Sequence, residues 1–196
     1  PEGLTALMEA LNDPNQIDAV RVAALQGLVR HAYLSQDWQK GTDILLNGQP
    51  VINPQFRDSQ LIPALLTWAA APCPQGRSPK GHDWMRMLAV DALGYLRQAS
   101  GGTVPAALAQ IVGSPNESME LRLAATRALG NLKYDNVAGV TAVQLASPVV
   151  NLILECFELE RRRPPPQVAM GVAGPEGGPS SAPRYSSGSS YPGGSY

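Results

Sequence analysis

Ser114-Pro115-Asn116-Glu117-Ser118-Met119-Glu120-Leu121-Arg122-Leu123-Ala124-Ala125-Thr126-Arg127-Ala128-Leu129 decides the fold, because two other stretches repeat its plan. Asp13-Pro14-Asn15-Gln16 leads to Arg21, Ala24 and Leu28, and Ser78-Pro79-Lys80-Gly81 leads to Arg86, Ala89 and Leu93. In each copy the residue before Pro lies eight positions before the Arg, an Ala follows the Arg by three, and a Leu by seven. Self-similarity of this kind marks a repeat protein, whose units bury their apolar faces against one another.

The local chemistry of the third copy predicts a helix. Ser114 reads as its N-cap, Pro115 as its first residue and Glu117 as the partner that closes a capping box. Leu121, Ala125, Leu129 and Leu132 then fall on one face. In the first copy Asp13, Pro14 and Gln16 take the capping places, and Val20, Ala24, Leu28 and His31 line the face. That pattern makes His31 a core histidine. Met85, Ala89, Leu93 and Leu96 occupy the same places in the middle copy. A second set of apolar faces precedes the copies: Leu4, Leu7, Met8 and Leu11; Leu61, Leu65 and Trp68; Val104, Leu108, Ile111 and Val112. Each unit is therefore expected to be a helical hairpin, with a small Ala letting the two helices approach closely.

The predicted fold is all-α, an α-solenoid of about three stacked hairpins closed by a C-terminal capping helix. Ser147-Pro148 reads as the start of that cap. Val149, Leu152, Ile153, Cys156, Phe157 and Leu159 form its apolar stripe, and Glu155, Glu158 and Glu160 its wetted side. The copies are unevenly spaced, Arg21 to Arg86 being 65 residues and Arg86 to Arg122 only 36. The surplus falls in residues 35–58, expected to carry a short helix or half-repeat around Ile44–Leu46, and in residues 71–82, an enlarged turn. Long loops in compact domains are commonly functional.

A Pro followed by Arg-x-x-Ala-x-x-x-Leu on the second helix of a hairpin resembles the HEAT repeat and its short HEAT-like relatives. The resemblance covers about residues 1–135 and, loosely, as far as 160. It implies a scaffold for protein partners and a structural role for Arg21, Arg86 and Arg122, bonding between neighbouring repeats. The family's turn Asp is present only as Asp13; Ser78 and Ser114 stand in its place in the other copies.

Composition narrows the function. Of 196 residues 44% are hydrophobic and 16% charged, enough apolar material for a core beneath a weakly charged exterior. A net charge of −1 argues against nucleic acid as the main partner, since phosphate binding needs concentrated positive charge. Two cysteines, Cys73 and Cys156, are too few for a disulfide framework and read as free thiols. No uninterrupted run of about 18 apolar residues is present, which predicts no transmembrane segment. The chain opens on Pro1, almost directly in a repeat. A longer solenoid or a second chain is therefore one expectation, with an exposed Leu4, Leu7 and Leu11 as its sign.

The residues divide into a repeat domain, 1–160, and a Pro/Gly/Ser/Tyr-rich tail, 161–196. From Pro164 to Tyr196, Pro, Gly and Ser supply 21 of 33 residues, so the tail is expected to be disordered. Arg161–Arg163 favour a helix C-terminus through its dipole, and Pro164–Pro166 stop the helix.

His31 and His82 have no Cys, Asp or Glu at metal-ligand spacing, and no phosphate-binding or nucleophile-elbow motif occurs. No catalytic, cofactor or metal residue is therefore named. The expected function is non-catalytic protein binding through the concave face and the enlarged loop at 71–84, with Trp84, Arg77, Lys80 and His82 as contacts, since interface hot spots favour Trp and Arg. The alternative is an enzyme or enzyme subunit of lyase or glycosylase type on a HEAT-like scaffold. A deep pocket gathering Asp83, Trp84, Arg77 and Cys73 would mark it.

Overall fold

The computed structural model describes residues 2–135, 137 and 139–164. The chain separates into a compact unit, Pro1–Arg162, and a second unit, Arg163–Tyr196. The tail expected at 161–196 lies outside the described residues from 165 onward.

The first unit is mainly helical. Helix α1 (Glu2–Asn12) is followed by α2 (Asp18–Leu34), two short β-ladders, α3 (Pro54–Phe56), a π-helical turn (Arg57–Leu61) and α4 (Ile62–Ala70). Then come α5 (Pro79–Leu96), a 3-10 turn (Ser100–Gly102), α6 (Thr103–Gly113), α7 (Met119–Asn131) and α8 (Ala142–Arg161). Helix α1 packs on α2, α4 on α5 and α6 on α7. Helix α5 also packs on α2 and α7, and α6 on α4 and α8.

The repeated tetrapeptide has two structural outcomes. Ser78 caps α5 as expected, its hydroxyl accepting from the Gly81 N–H at 3.4 Å, with Pro79 in the first turn. Asp13 and Ser114 do not cap helices. Each opens a β-turn closed by a backbone bond, Gln16 N to Asp13 O at 3.2 Å and Glu117 N to Ser114 O at 3.3 Å. Proline at the second position suits such a turn as well as it suits a helix start. Ile17, without a side-chain cap bond, and Ser118 are the N-caps of α2 and α7. In the middle copy residues 71–77 complete the reversal, and so Ser78-Pro79 is left to begin the helix.

The core follows the repeat faces. Met85, Ala89, Leu93 and Leu96, with Leu121, Ala125, Leu129 and Leu132, are all buried. On α2 the buried line is Arg21, Ala24, Leu25, Leu28 and Ala32, while His31 is exposed. Helix α2 packs chiefly on α1 and α5, and the arc that carries His31 meets solvent. Leu4 and Leu11 are buried, and Leu7 sits over Gly27, where a Cβ would come within 2.9 Å of its side chain.

The three repeated arginines are buried and do equivalent work. Arg21 donates to the Asp13 and Pro14 carbonyls, Arg86 to Ala69 O and Arg122 to Val112 O, the last two at 2.9 Å. Each thereby satisfies carbonyls that end the preceding helix or form the turn after it. Their remaining donors meet carboxylates: Arg21 with Asp18, Arg86 with Glu117 at 2.6 and 2.7 Å, and Arg122 with Glu155 at 2.8 Å. Glu117 is thus drawn to Arg86 of the preceding copy instead of closing a capping box. These contacts make a ladder of arginine–carboxylate pairs, within α2 for Arg21 and onward in the chain to Glu117 and Glu155 for Arg86 and Arg122.

Two corrections concern the regions between and after the copies. No helix forms around Ile44–Leu46. Strand β1 (Gln36–Asp37) pairs antiparallel with β2 (Thr42–Asp43), and β3 (Leu45–Leu46) with β4 (Gln49–Pro50). Asn47 and Gly48 join β3 to β4 with φ of 52° and 77°, the left-handed pair that a two-residue hairpin turn requires. Nor does Ser147-Pro148 begin the last helix. Thr141 and Gln144 form a full capping box, and Pro148 lies within α8. Helix α8 covers α6, but of its apolar stripe only Leu152 is fully buried, and Phe157 is 69% exposed. Glu155, Glu158 and Glu160 are exposed as expected, but Ile153, Phe157 and Leu159 of the intended buried side are exposed beside them, as are Val150 and Leu154. By length and composition α8 could also cross a membrane, although no uninterrupted apolar run foretells it.

Candidate functional site

The enlarged turn is held from beneath. His82 is only 1% exposed, and its Nε2 lies 2.9 Å from the Ala71 carbonyl, which accepts from it if that nitrogen carries the proton. Nδ1 is buried without a partner among the described residues. This burial leaves His82 no surface to offer, so it belongs to the turn's foundation and not to a contact face. Arg86 fixes the end of α4 through Ala69 and also donates to the Asp83 carboxylate at 3.4 Å. Burial works against its charge, but the hydrogen bonds and charge of Glu117 outweigh this, and its pKa lies above the ordinary guanidinium value.

Arg77 is half-buried and engaged in an ion pair. It pairs with Asp18 at 2.8 Å, and the same carboxylate oxygen holds Arg21 at 3.2 Å. The turn is thereby tied to the start of α2, across 59 residues of sequence. Cys73 is exposed and Cys156 half-buried, and both are free thiols.

Trp84 and Lys80 do present a surface. Trp84 is 44% exposed, one helical turn beyond the exposed Lys80 and just short of Met87. With Asp83, and with Ser118 and Glu120 at the start of α7, they line an open depression of about 300 Å³. It holds an aromatic ring, a thioether and both signs of charge. Of the four residues expected in an enzyme pocket, Asp83 and Trp84 line this depression; Arg77 and Cys73 do not. Among the described residues no three His, Cys, Asp or Glu side chains are placed to share a metal ion.

No family model, curated protein or solved structure matches this chain.

Two further features were not foreseen. Tyr33 stacks on Trp38 at 5.3 Å between ring centroids, Tyr95 meets both edge-on, and the Arg97 guanidinium lies 5.2 Å from the Trp38 ring. Helices α2 and α5 bring these residues together, and no local sequence signal marks the cluster. The β3–β4 hairpin leaves Leu45 and Leu46 59% and 68% exposed. Asn47-Gly48 between apolar residues was a readable signal for that hairpin.

Proposed function

We propose that residues 1–160 form a short α-solenoid of HEAT-like hairpins serving as a non-catalytic protein-binding scaffold, with Trp84 and Lys80 at its contact surface. The packing order supports the solenoid. Second helices α2, α5 and α7 follow one another, and first helices α4, α6 and α8 do likewise, each neighbour reached through the next copy. The arginine–carboxylate contacts from copy to copy support the HEAT-like reading.

The observation that carries the binding role is Trp84. A large aromatic side chain stands 44% exposed on a helix whose start is anchored by Ser78, His82 and Arg86. Such a residue offers area to a partner at little ordering cost. Arg77 now supports the turn from the Asp18 side, and His82 from within.

The test is affinity capture with the full chain and with Trp84→Ala and Lys80→Glu, each checked for unchanged thermal unfolding. A partner that binds the wild type directly and is lost by both variants supports the role. Retention of every partner by both refutes the surface. Turnover of a small molecule, abolished by Asp83→Asn, would instead favour the enzyme alternative.

A further inference from the structure

Helix α8 carries more apolar surface than its neighbours cover. Leu152, Leu145, Cys156 and Val149 are buried or half-buried, whereas Ile153, Phe157, Val150 and Leu154 continue the same arc into solvent. At about 100° per residue the arc spans roughly 200°. Beside it, α7 exposes Leu123 and Gly130. Two adjoining depressions of about 590 and 430 Å³ run between these helices, sharing Thr126 and Val149 in their walls.

Gly130 indicates what fits there. Gly94 on α5 and Gly130 on α7 each lie eight residues after their copy's arginine. At Gly94 the next second helix approaches so closely that a Cβ would lie 2.8 Å from the Ala128 Cα. At Gly130 a Cβ would have nothing within 4 Å. Helix α7 thus repeats the notch by which α5 receives a helix, and the notch is open.

We propose that this groove is a homodimer interface, in which α8 of a second copy lies against α7 and α8 of the first and the reverse contact forms about a two-fold axis. The patch contains both complementary shapes, notch and ridge, as an isologous contact requires. On the ridge, Val143, Ala146 and Val150 are exposed at spacings of three and four, so a small residue stands between larger ones to meet the notch. The walls carry no charged side chain apart from Glu160, which keeps like-charge repulsion between copies low. Residues 165–196 are a poor source for the missing helix, because Pro, Gly and Ser dominate their sequence. A bilayer would have no use for the notch, and Glu155 on α8 is held by Arg122. The dimer is independent of the Trp84 surface.

Sedimentation velocity and light scattering on the full chain test it, over a concentration series, with Phe157→Glu and Gly130→Leu. Both sites are exposed, so below the dimerisation range both variants should stay folded, Phe157→Glu melting near the wild type and Gly130→Leu a little higher through helix propensity. The expected result is a mass twice 20.8 kDa at high concentration, with dimerisation weakened about 100-fold or more in each variant. A monomer throughout the series, or a dimer indifferent to both substitutions, overturns the proposal. So does a monomer that floats with phosphatidylcholine–phosphatidylglycerol vesicles and loses that binding in Phe157→Glu, an outcome that assigns α8 to a lipid surface.

Discussion

Alanine at positions 94 and 130 should act in opposite directions, although both glycines occupy the same place in their repeats. Within a helix, replacing Gly by Ala favours folding by about 1 kcal/mol, through chain entropy and helix propensity. At Gly94 the added methyl would lie 2.8 Å from the Ala128 Cα and 2.9 Å from its Cβ. The first of these is backbone, so no rotamer change relieves the contact and α5 must move away from α7. Overpacking costs typically about 1–3 kcal/mol, and a contact with backbone that no rotamer relieves belongs in the upper part of that range, about 2–3 kcal/mol, which outweighs the propensity gain. The net loss is about 1–2 kcal/mol, or a fall in Tm of roughly 2–8 °C for a domain of this size. At Gly130 the methyl meets open space, so only the gain remains and Tm should rise by roughly 2–4 °C. Calorimetry at low protein concentration separates this effect from any change in self-association. A Gly94→Ala protein as stable as the wild type would refute the close α5–α7 contact as the reason for glycine there.

Other perturbations probe the arginine ladder. Arg86→Ala removes the donor to Ala69 O and strands Glu117, and should cost about 2–3 kcal/mol in denaturant unfolding. The cost stays at the lower end because Glu117 keeps contact with water. A loss under about 0.5 kcal/mol would show that the pair adds nothing to the stack. Glu155 is held below the usual carboxylate range, first by its hydrogen bond from Arg122, against some burial, and then by that charge. A lowered folded pKa means that its contribution is present at neutral pH and is lost as pH falls through that lowered value. The Tm difference between wild type and Glu155→Gln should therefore shrink on acidification, and one that grows would contradict the pairing. Asp91 behaves in the opposite sense, since burial raises its pKa and the Arg127 charge only partly offsets this. Its charged form is disfavoured in the fold, so stability should decline as pH rises from the usual carboxylate value through the raised one. Asp91→Asn should flatten that decline in a pH series of melts.

The repeat faces were legible because helical periodicity is local, and Met85, Ala89, Leu93 and Leu96 need only their own spacing to declare a buried side. His31 failed because burial also depends on how many neighbours a helix has, and α2 lacks one on that arc. Asp13 and Ser114 failed for a different reason. A Ser/Asp-Pro-Asn tetrapeptide is chemically suited to a β-turn and to a helix start, and the length of the preceding reversal selects between them.

The candidate site shows the same division. Trp84 and Lys80 sit one turn apart on one helix, so spacing alone places them side by side. The partners of Arg77 and His82 come from α2 and from the end of α4, so spacing did not reveal that both side chains are engaged. Three copies of Pro, Arg, Ala and Leu determined by themselves that this chain folds as paired helices with apolar inner faces, because helical period is written residue by residue. Only the tertiary structure decided which carboxylate each arginine meets, which glycine is filled and which lies open, and how much of α8 faces water. Except for Arg21, whose carboxylate Asp18 is three residues away, those outcomes depend on neighbours brought from 30 or more residues away, as when Arg86 meets Glu117, and no local pattern encodes them.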